Sequence, residues 1–235
     1  MSLQRVAITG QLAWLPSDTE IAPAALAGLP ADYEAYLKLP LPLEIDTSVP
    51  IADYSFARST VAELNARAAF WNKYGIVAGQ PTASRLQPIT CREVAASLDL
   101  PYNADFGRAA ISRAYGGHWP PHLGSSSLLT EAFAQQLAQL LGPATEVYFY
   151  GSQEEGNYDW GASGCPSSWL GMGTLADLPE VCQRADAFPT YVFAADHSWC
   201  LYQAEDEDWL AFGGTTDLAN RLLAQQDLEA FCMTR

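Results

Sequence analysis

The stretch that decides the fold is TYVFAADHSWCLYQAEDEDWLAF, residues 190–212. It contains three runs rich in aromatic and aliphatic residues, at 190–194, 199–203 and 209–212, which short polar segments separate. Runs of this length and composition, bounded by polar turn residues, are typical of β-strands. The sequence therefore predicts a three-stranded antiparallel meander at 190–212.

Helix signals lie on both sides of the meander. Thr60 with Glu63, and Thr90 with Glu93, have the spacing of capping boxes, in which each side chain satisfies a backbone N–H at the start of a helix. Gly142 followed by Pro143 ends the strongest helical pattern. The predicted helices are 30–37, 60–74, one beginning at 90, 105–114, 126–141, 177–186 and 217–224.

The order of these elements predicts an α+β fold. We expect a small antiparallel sheet, made of the meander 190–212 and a strand at 146–150, covered by helices. The stretch 6–15 is a candidate for a further, N-terminal strand. Aromatic residues occupy adjacent positions in the strands, and successive side chains point to opposite faces, so both sheet faces are apolar. We expect helices of the first 117 residues to cover the second face. The Gly- and Ser-rich segment 151–173 predicts a long loop.

The length of 235 residues fits a single domain, 1–235. A subdivision is also open, with a helix-rich front half at 1–117 and an acidic α+β half at 118–235. Residues 118–235 contain sixteen acidic residues against three Arg and no Lys, a net charge of −13, whereas residues 1–117 carry −2. Such a one-sided charge bears on partners and association rates rather than on the fold.

The charge excludes whole classes of partner. Nucleic-acid binding depends on Lys and Arg that neutralise phosphates, so we expect no nucleic-acid partner, and anionic membrane surfaces are disfavoured for the same reason. No segment approaches the roughly 20 apolar residues of a membrane span, and none has the pattern of a signal peptide. Five widely spaced cysteines fit free thiols in a reducing compartment, so we expect a cytoplasmic protein.

Motifs for catalysis and cofactors are weak throughout the chain. His118 and His122 have the spacing of a helical zinc pair, but Pro120 and Pro121 between them exclude a helix. Residues 205–208 are four consecutive acids that lack the alternation and the glycine of a calcium loop. Cys165 or Cys200 paired with a histidine stays open as a nucleophile. We therefore expect no metal and no cofactor, and more readily a binding protein than an enzyme.

Residues 29–37, LPADYEAYL, combine a leucine–proline step with acidic and tyrosine residues. This segment resembles the leucine–proline, acidic–tyrosine helix found early in one family of bacterial immunity proteins. The Asn-Gly-Gly that commonly follows that helix is replaced here by Leu39-Pro40-Leu41-Pro42. The resemblance implies an inhibitor that binds a toxin.

The charge and the aromatic strands together predict a non-enzymatic protein-binding module. Its most specific form is an immunity-type inhibitor of a basic toxin, which docks through an acidic, aromatic-rich surface because such fields speed association and aromatic residues supply binding energy. A monomer and a homodimer formed through the aromatic sheet are both open. The candidate partner-binding residues are Glu205, Asp206, Glu207, Asp208, Trp209 and Trp199.

The alternative is a small-molecule-binding protein or enzyme. Its pocket would lie under the 151–173 loop, because a loop of this length within a domain is commonly functional. The candidate pocket residues are Trp160, Trp169, His118 and His122.

Overall fold

The computed structural model contains helices and two antiparallel sheets, which confirms the predicted mixed α+β class. It describes residues 3–8, 10–16, 26, 28–54, 60–76, 86–124, 127–152, 168–185, 187–204 and 207–234. The chain forms two compact units. We call Met1–Leu41 together with Thr130–Arg235 the sheet unit, and Pro42–Leu129 the inserted unit.

Strands account for much of the described chain. They are β1 (Gln4–Arg5), β2 (Ala35–Pro40), β3 (Leu43–Asp46), β4 (Leu86–Ile89), β5 (Leu123–Gly124), β6 (Glu146–Ser152), β7 (Ser168–Thr174), β8 (Tyr191–Ala194), β9 (Cys200–Tyr202), β10 (Trp209–Gly214) and β11 (Phe231–Met233). The α-helices of the same residues are α1 (Val61–Tyr74), α2 (Cys91–Ser97), α3 (Arg108–Ala114), α4 (Ser127–Leu141), α5 (Leu178–Ala185) and α6 (Thr216–Leu223). Among these described helices, none combines the length and apolarity that a bilayer crossing requires.

The sheet unit is built on an eight-stranded sheet with the order β1-β7-β6-β8-β9-β10-β2-β11. All neighbouring strands in it are antiparallel. Strands β8, β9 and β10 confirm the predicted meander, and β6 confirms the strand at 146–150 and extends it to Ser152. The prediction of a small sheet is wrong, because β1, β2, β7 and β11 complete a much wider one.

The largest correction concerns residues 30–37, which the sequence predicts to be a helix. Residues Ala35–Pro40 instead form β2, which pairs with β10 on one side and β11 on the other. Leu37 and Leu39 are buried in the core on one face, and Tyr36 is buried in a second cluster. Pairing on both edges and burial on both faces outweigh a short local helix signal. The segment that resembles the immunity-protein helix is therefore not helical in this structure.

The predicted loop 151–173 is also corrected at both ends. Its described parts belong to β6 and β7, which pair from Glu146 with Thr174 to Ser152 with Ser168, while residues 153–167 lie outside the described residues. Gly151 allows close packing within the sheet. A Cβ on Gly151 would come within 2.3 Å of Nε1 of Trp169, so only glycine fits beneath that indole.

The sheet has an N-terminal strand, as predicted, but its position differs from the predicted 6–15. The strand is β1, at Gln4–Arg5, and residues Gly10–Leu12 form a short 3-10 helix. Glycine and glutamine at these positions interrupt the apolar run, and the first described residues pair with β7 instead.

The two faces of the large sheet have different coverings. One face packs on helices, with Phe133, Leu137 and Leu141 of α4 against core residues such as Val147 and Phe149. The other face carries a cluster that includes Phe193, Cys200 and Ala211, and it is covered by Leu26, Leu29 and partly buried residues near Trp14. The expected second layer thus exists, but it is an N-terminal segment rather than helices of the first 117 residues.

The inserted unit has its own three-stranded sheet, in the order β4-β3-β5, and its own core. Both predicted capping boxes are confirmed, since Glu63 N donates to Thr60 Oγ1 and Glu93 N donates to Thr90 Oγ1. Helix α3 begins at Arg108 rather than at residue 105, after a turn in which Asn103 Oδ1 accepts from the backbone N–H of residue 105.

Candidate functional site

The net charge of the protein belongs to the sheet unit. This unit contains twenty acidic residues against five basic ones, a net charge of −15, whereas the inserted unit contains seven of each and is neutral. The difference from the sequence halves arises because residues 1–41, which contain four acids against Arg5 and Lys38, belong to the same unit as the C-terminal strands. A basic partner would therefore be attracted to the sheet unit.

The sheet unit has a cleft of about 340 Å³ that carries part of this charge. No Lys or Arg is among the described residues that line it. The residues that give the cleft its chemistry are Trp14, Asp32, Tyr33, Glu34, His197 and Thr215. We call it the acidic cleft.

One wall of the acidic cleft is a pair of stacked rings. The indole of Trp14 lies 4.1 Å from the imidazole of His197, with 18° between the planes, and meets Phe193 edge-on at 5.2 Å. The indole Nε1 of Trp14 donates to the carbonyl of Gln11 at 2.8 Å, which fixes the ring. The stacked Trp14 and His197 rings therefore give the cleft a partly apolar wall.

The turn between β8 and β9 presents His197 to this ring. His197 has φ of 61°, in the left-handed region, and its backbone N–H donates to the carbonyl of Ala194 at 2.8 Å. Asp196 Oδ1 accepts from the backbone N–H of Ser198 at 3.0 Å, and hydrogen bonds from Ser198 lower the pKa of Asp196. The turn thus holds an ionised carboxylate and an exposed imidazole in fixed positions.

Tyr33 supplies a second aromatic ring. Its ring lies against the backbone of β10, where a Cβ on Gly213 would come within 2.4 Å of Tyr33 Cδ2. The hydroxyl of Tyr33 is buried and has no hydrogen-bond partner among the described residues. Burial is the main reason that the pKa of Tyr33 is raised well above its ordinary value, with smaller contributions from Cys200 and Asp32. The hydroxyl therefore stays protonated and can both donate and accept.

Two further carboxylates, those of Asp32 and Glu34, are exposed at the cleft. Glu34 Oε2 accepts from the backbone N–H of Thr216 at 2.9 Å, and these hydrogen bonds from Thr216 lower the pKa of Glu34. A carboxylate has two oxygens and about four lone-pair positions, so the hydrogen bonds from Thr216 leave capacity for a further partner. The acidic cleft thus combines carboxylates and aromatic rings in its lining.

The predicted docking residues differ in how exposed their side chains are. Glu205 and Asp206 lie outside the described residues, Glu207 is exposed and Asp208 is half-buried. Glu207 Oε2 accepts from Nε1 of Trp209 at 2.7 Å, and the ring of Trp209 lies 5.2 Å from Lys38 Nζ.

Trp199 and Trp209 are only 2% and 9% exposed, so neither indole is a surface anchor. Trp199 is part of the helix-covered core, and Trp209 belongs to the cluster on the opposite face. Trp209 is the first residue of β10, as predicted, whereas Trp199 lies one residue before β9.

The four residues predicted to line the alternative pocket belong to different parts of the chain. Trp160 lies outside them, and Trp169 is buried in the core of the sheet unit at 5% exposure. His118 and His122 belong to the inserted unit. His122 is buried near the hydroxyl of Tyr115, at 3.4 Å from Nε2, and burial lowers its pKa while Asp46 opposes that shift.

Thiols and metal-ligating side chains are the remaining candidate groups among the described residues. Cys200 is buried, and burial raises its pKa well above the ordinary value. Within the described residues, no group of three or more His, Cys, Asp or Glu side chains is placed to hold a metal ion.

Comparison with known proteins gives no match, whether to a family model, a curated protein or a solved structure. Charge and geometry are therefore the properties from which a function can be inferred. The residues of the acidic cleft come from four segments, around Trp14, Asp32, His197 and Thr215. No local pattern in the sequence links these segments, so the site could not be predicted from the sequence.

Proposed function

We propose that this protein is a non-enzymatic protein-binding module that docks a basic segment of a partner protein at the acidic cleft. The observation that carries the proposal is that a cleft lined by carboxylates and aromatic rings lies on the unit that holds the entire net charge of −15. An immunity-type inhibitor of a basic toxin is its most specific form.

The cleft suits a Lys or Arg side chain of the partner. The rings of Trp14 and Tyr33 offer faces to the aliphatic stem and a cation–π contact to the charged head. Asp32 and Glu34 would pair with the same head, and the buried Tyr33 hydroxyl supplies a further polar contact. Charge-assisted hydrogen bonds in a partly desolvated cleft are stronger than those on an open surface.

The charge of the whole unit supports fast association with a basic partner. Steering by such a field raises the association rate by roughly 10- to 1,000-fold at low salt and falls steeply with ionic strength. Three buried free thiols, Cys91, Cys182 and Cys200, are in keeping with a reducing compartment such as the cytoplasm.

The proposal is tested with a short lysine-containing peptide and the same peptide with acetyl-lysine. We expect the lysine peptide to shift the indole N–H resonance of Trp14 in NMR spectra, with an affinity that falls as salt is added. The acetylated peptide should bind several-fold more weakly, because it keeps the stem and loses the charge. Equal affinity of the two peptides would contradict the proposal.

The variant Asp32→Asn tests whether the lysine peptide binds at the acidic cleft. Asp32 is exposed, and an exposed ion pair contributes about 0.2–1 kcal/mol, so we expect affinity for the lysine peptide to fall by roughly two- to five-fold. Asp227→Asn, at another exposed position of the sheet unit, is the matched control and should change affinity less. If both variants weaken binding to the same extent, only the overall field matters and the cleft is not the docking site.

A further inference from the structure

The inserted unit contains a cleft of about 380 Å³ whose chemistry is opposite to that of the acidic cleft. Its described lining includes no Asp and no Glu, although the protein as a whole is strongly acidic. We call it the arginine cleft. The side chains that define its chemistry are Tyr54, Leu64, Arg67, Trp71, His118 and Trp119.

Helix α1 forms one wall of the arginine cleft. Leu64, Arg67 and Trp71 follow one another at helical spacing and lie on the same face of the helix. In the sequence this face has the pattern of a core-facing stripe, yet Val61 is 73% exposed and Leu64 is 43% exposed. The apolar face of α1 is therefore available to a ligand rather than used in the core of the inserted unit.

Arg67 is the polar centre of the cleft. Its Nη1 is buried and has no hydrogen-bond partner among the described residues. The stretches 55–59, 77–85 and 125–126 of the same unit, which the structure does not describe, contain no Asp or Glu in the sequence. A buried guanidinium N–H without an acceptor is unfavourable, and an anion in the adjoining cleft would relieve it.

The aromatic walls are held in place by other contacts. Nε1 of Trp119 donates to the carbonyl of Leu123 at 2.8 Å, and the guanidinium of Arg108 lies 5.5 Å from the centre of the same ring. The indole of Trp71 packs against the backbone of Gly75, where a Cβ would come within 2.9 Å of the indole Cε2. Side chains that are already ordered lose little entropy when a ligand binds.

We propose that the arginine cleft binds a small organic carboxylate with a flat, apolar body. The planar guanidinium of Arg67 matches the two oxygens of a carboxylate, and the indoles of Trp71 and Trp119 match an aromatic or aliphatic body. One guanidinium in a mainly apolar lining fits a single negative charge better than a polyphosphate. The volume falls within the roughly 300–1,000 Å³ of typical ligand sites. This inference is independent of the acidic cleft.

The first test compares indole-3-acetate with indole-3-acetamide, which has the same body without the charge. We expect the acid to shift the indole N–H resonances of Trp71 and Trp119 with a dissociation constant of about 1 mM or tighter. The amide should bind at least about tenfold more weakly, because a hydrogen bond to a charged group contributes more than one between neutral groups. Equal binding of acid and amide, or no response to the acid at about 10 mM, overturns the proposal.

The second test replaces the guanidinium. Arg67→Gln should weaken binding of indole-3-acetate by about tenfold or more and leave the weak binding of the amide unchanged. Arg113→Gln is the matched control, since Arg113 is exposed on α3 of the same unit and does not line the cleft. Unaltered affinity in Arg67→Gln overturns the proposal. Should that variant fail to fold, the acid and amide comparison on the unmodified protein still decides.

Discussion

Glu34 joins the segment before β2 to the beginning of α6. Its Oε2 accepts from the N–H of Thr216 at 2.9 Å, while Thr215 Oγ1 accepts from the N–H of Leu218 at 3.3 Å. Two of the N–H groups that a helix leaves unsatisfied at its start are thereby occupied. A negative charge is also favourable at this end of a helix.

The stability that Glu34 contributes should depend on pH. Hydrogen bonds from Thr216 lower its pKa in the folded protein, so the ionised form favours folding. That contribution is present above the ordinary pKa of the residue and is lost as the pH falls through the lower, folded-state pKa. We expect Glu34→Gln to lower the free energy of unfolding at about pH 7 and to have much less effect at about pH 3, measured by urea unfolding.

The control for this experiment is Asp227→Asn. Asp227 is exposed in the same unit and follows the C-terminal end of α6, so its replacement removes one negative charge away from the N-terminus of that helix. It should not reproduce the pH dependence of Glu34→Gln. An equal loss of stability at both pH values in Glu34→Gln would mean that the carboxylate acts by packing rather than by charge.

The helix caps show which contacts between single residues can be predicted from the sequence. Thr90 and Glu93 are three positions apart, so their capping box is visible in the sequence. Glu34 and Thr216 are 182 positions apart, and no local pattern pairs them. The acidic cleft has the same property, because Trp14 and His197 meet only when the N-terminal segment folds over the sheet.

At the scale of elements, β2 explains why the sheet is wider than the sequence suggests. Its residues Tyr36 to Leu39 are all buried, so they show no simple alternation between apolar and polar positions. They include the buried Lys38, whose Nζ lies over Trp209. The proline-rich flanks and the nearby acidic and tyrosine residues favour a helix followed by coil, whereas the pairing with β10 and β11 is a long-range effect.

Replacing Leu37 tests the position of β2. Leu37 is 1% exposed in the main core, so we expect Leu37→Ala to lower the free energy of unfolding by about 2–5 kcal/mol in urea titrations. Leu223→Ala is the control, because Leu223 is 37% exposed on α6 and its truncation should cost less than about 1 kcal/mol. Similar losses for the two variants would argue against β2 as an inner strand.

The elements that the sequence predicts well are those with a complete local signal. The meander has aromatic runs and polar turns, and α4 has both an apolar period and a Gly142 that adopts φ of 104° at its end. Strand β7 lacks such a signal. Gly171 and Gly173 are residues typical of loops, although their backbones pair with β6. Strand β11 has only three residues, too few to show a period.

At the scale of the whole molecule, the structure divides the charge more sharply than the sequence does. Cutting the sequence at residue 117 leaves −2 on one side and −13 on the other, whereas the structural units carry 0 and −15. The reason is topological, since the N-terminal acids fold with the C-terminal strands. Two clefts of opposite chemistry then belong to two units of different net charge.

A net charge of −15 on one unit should make the stability of the protein sensitive to salt. Repulsion among like charges disfavours a compact state, and the Debye length falls from about 30 Å at 0.01 M salt to about 8 Å at 0.15 M. We expect the urea midpoint to rise over this range of sodium chloride. A midpoint that stays constant would show that the acids are spaced widely enough for their repulsion to be negligible.

Paired substitutions assign this salt effect to the sheet unit. Glu146 and Asp227 are exposed there, so Glu146→Gln with Asp227→Asn should raise the urea midpoint at about 0.01 M salt and flatten its salt dependence. The gain should be modest, about 0.5 kcal/mol, because the sites are solvated. Asp53→Asn with Asp105→Asn removes the same charge from exposed positions of the inserted unit. The inserted unit is neutral, so this second pair of substitutions should not flatten the salt dependence. If both pairs had the same effect, the repulsion would not be specific to the sheet unit.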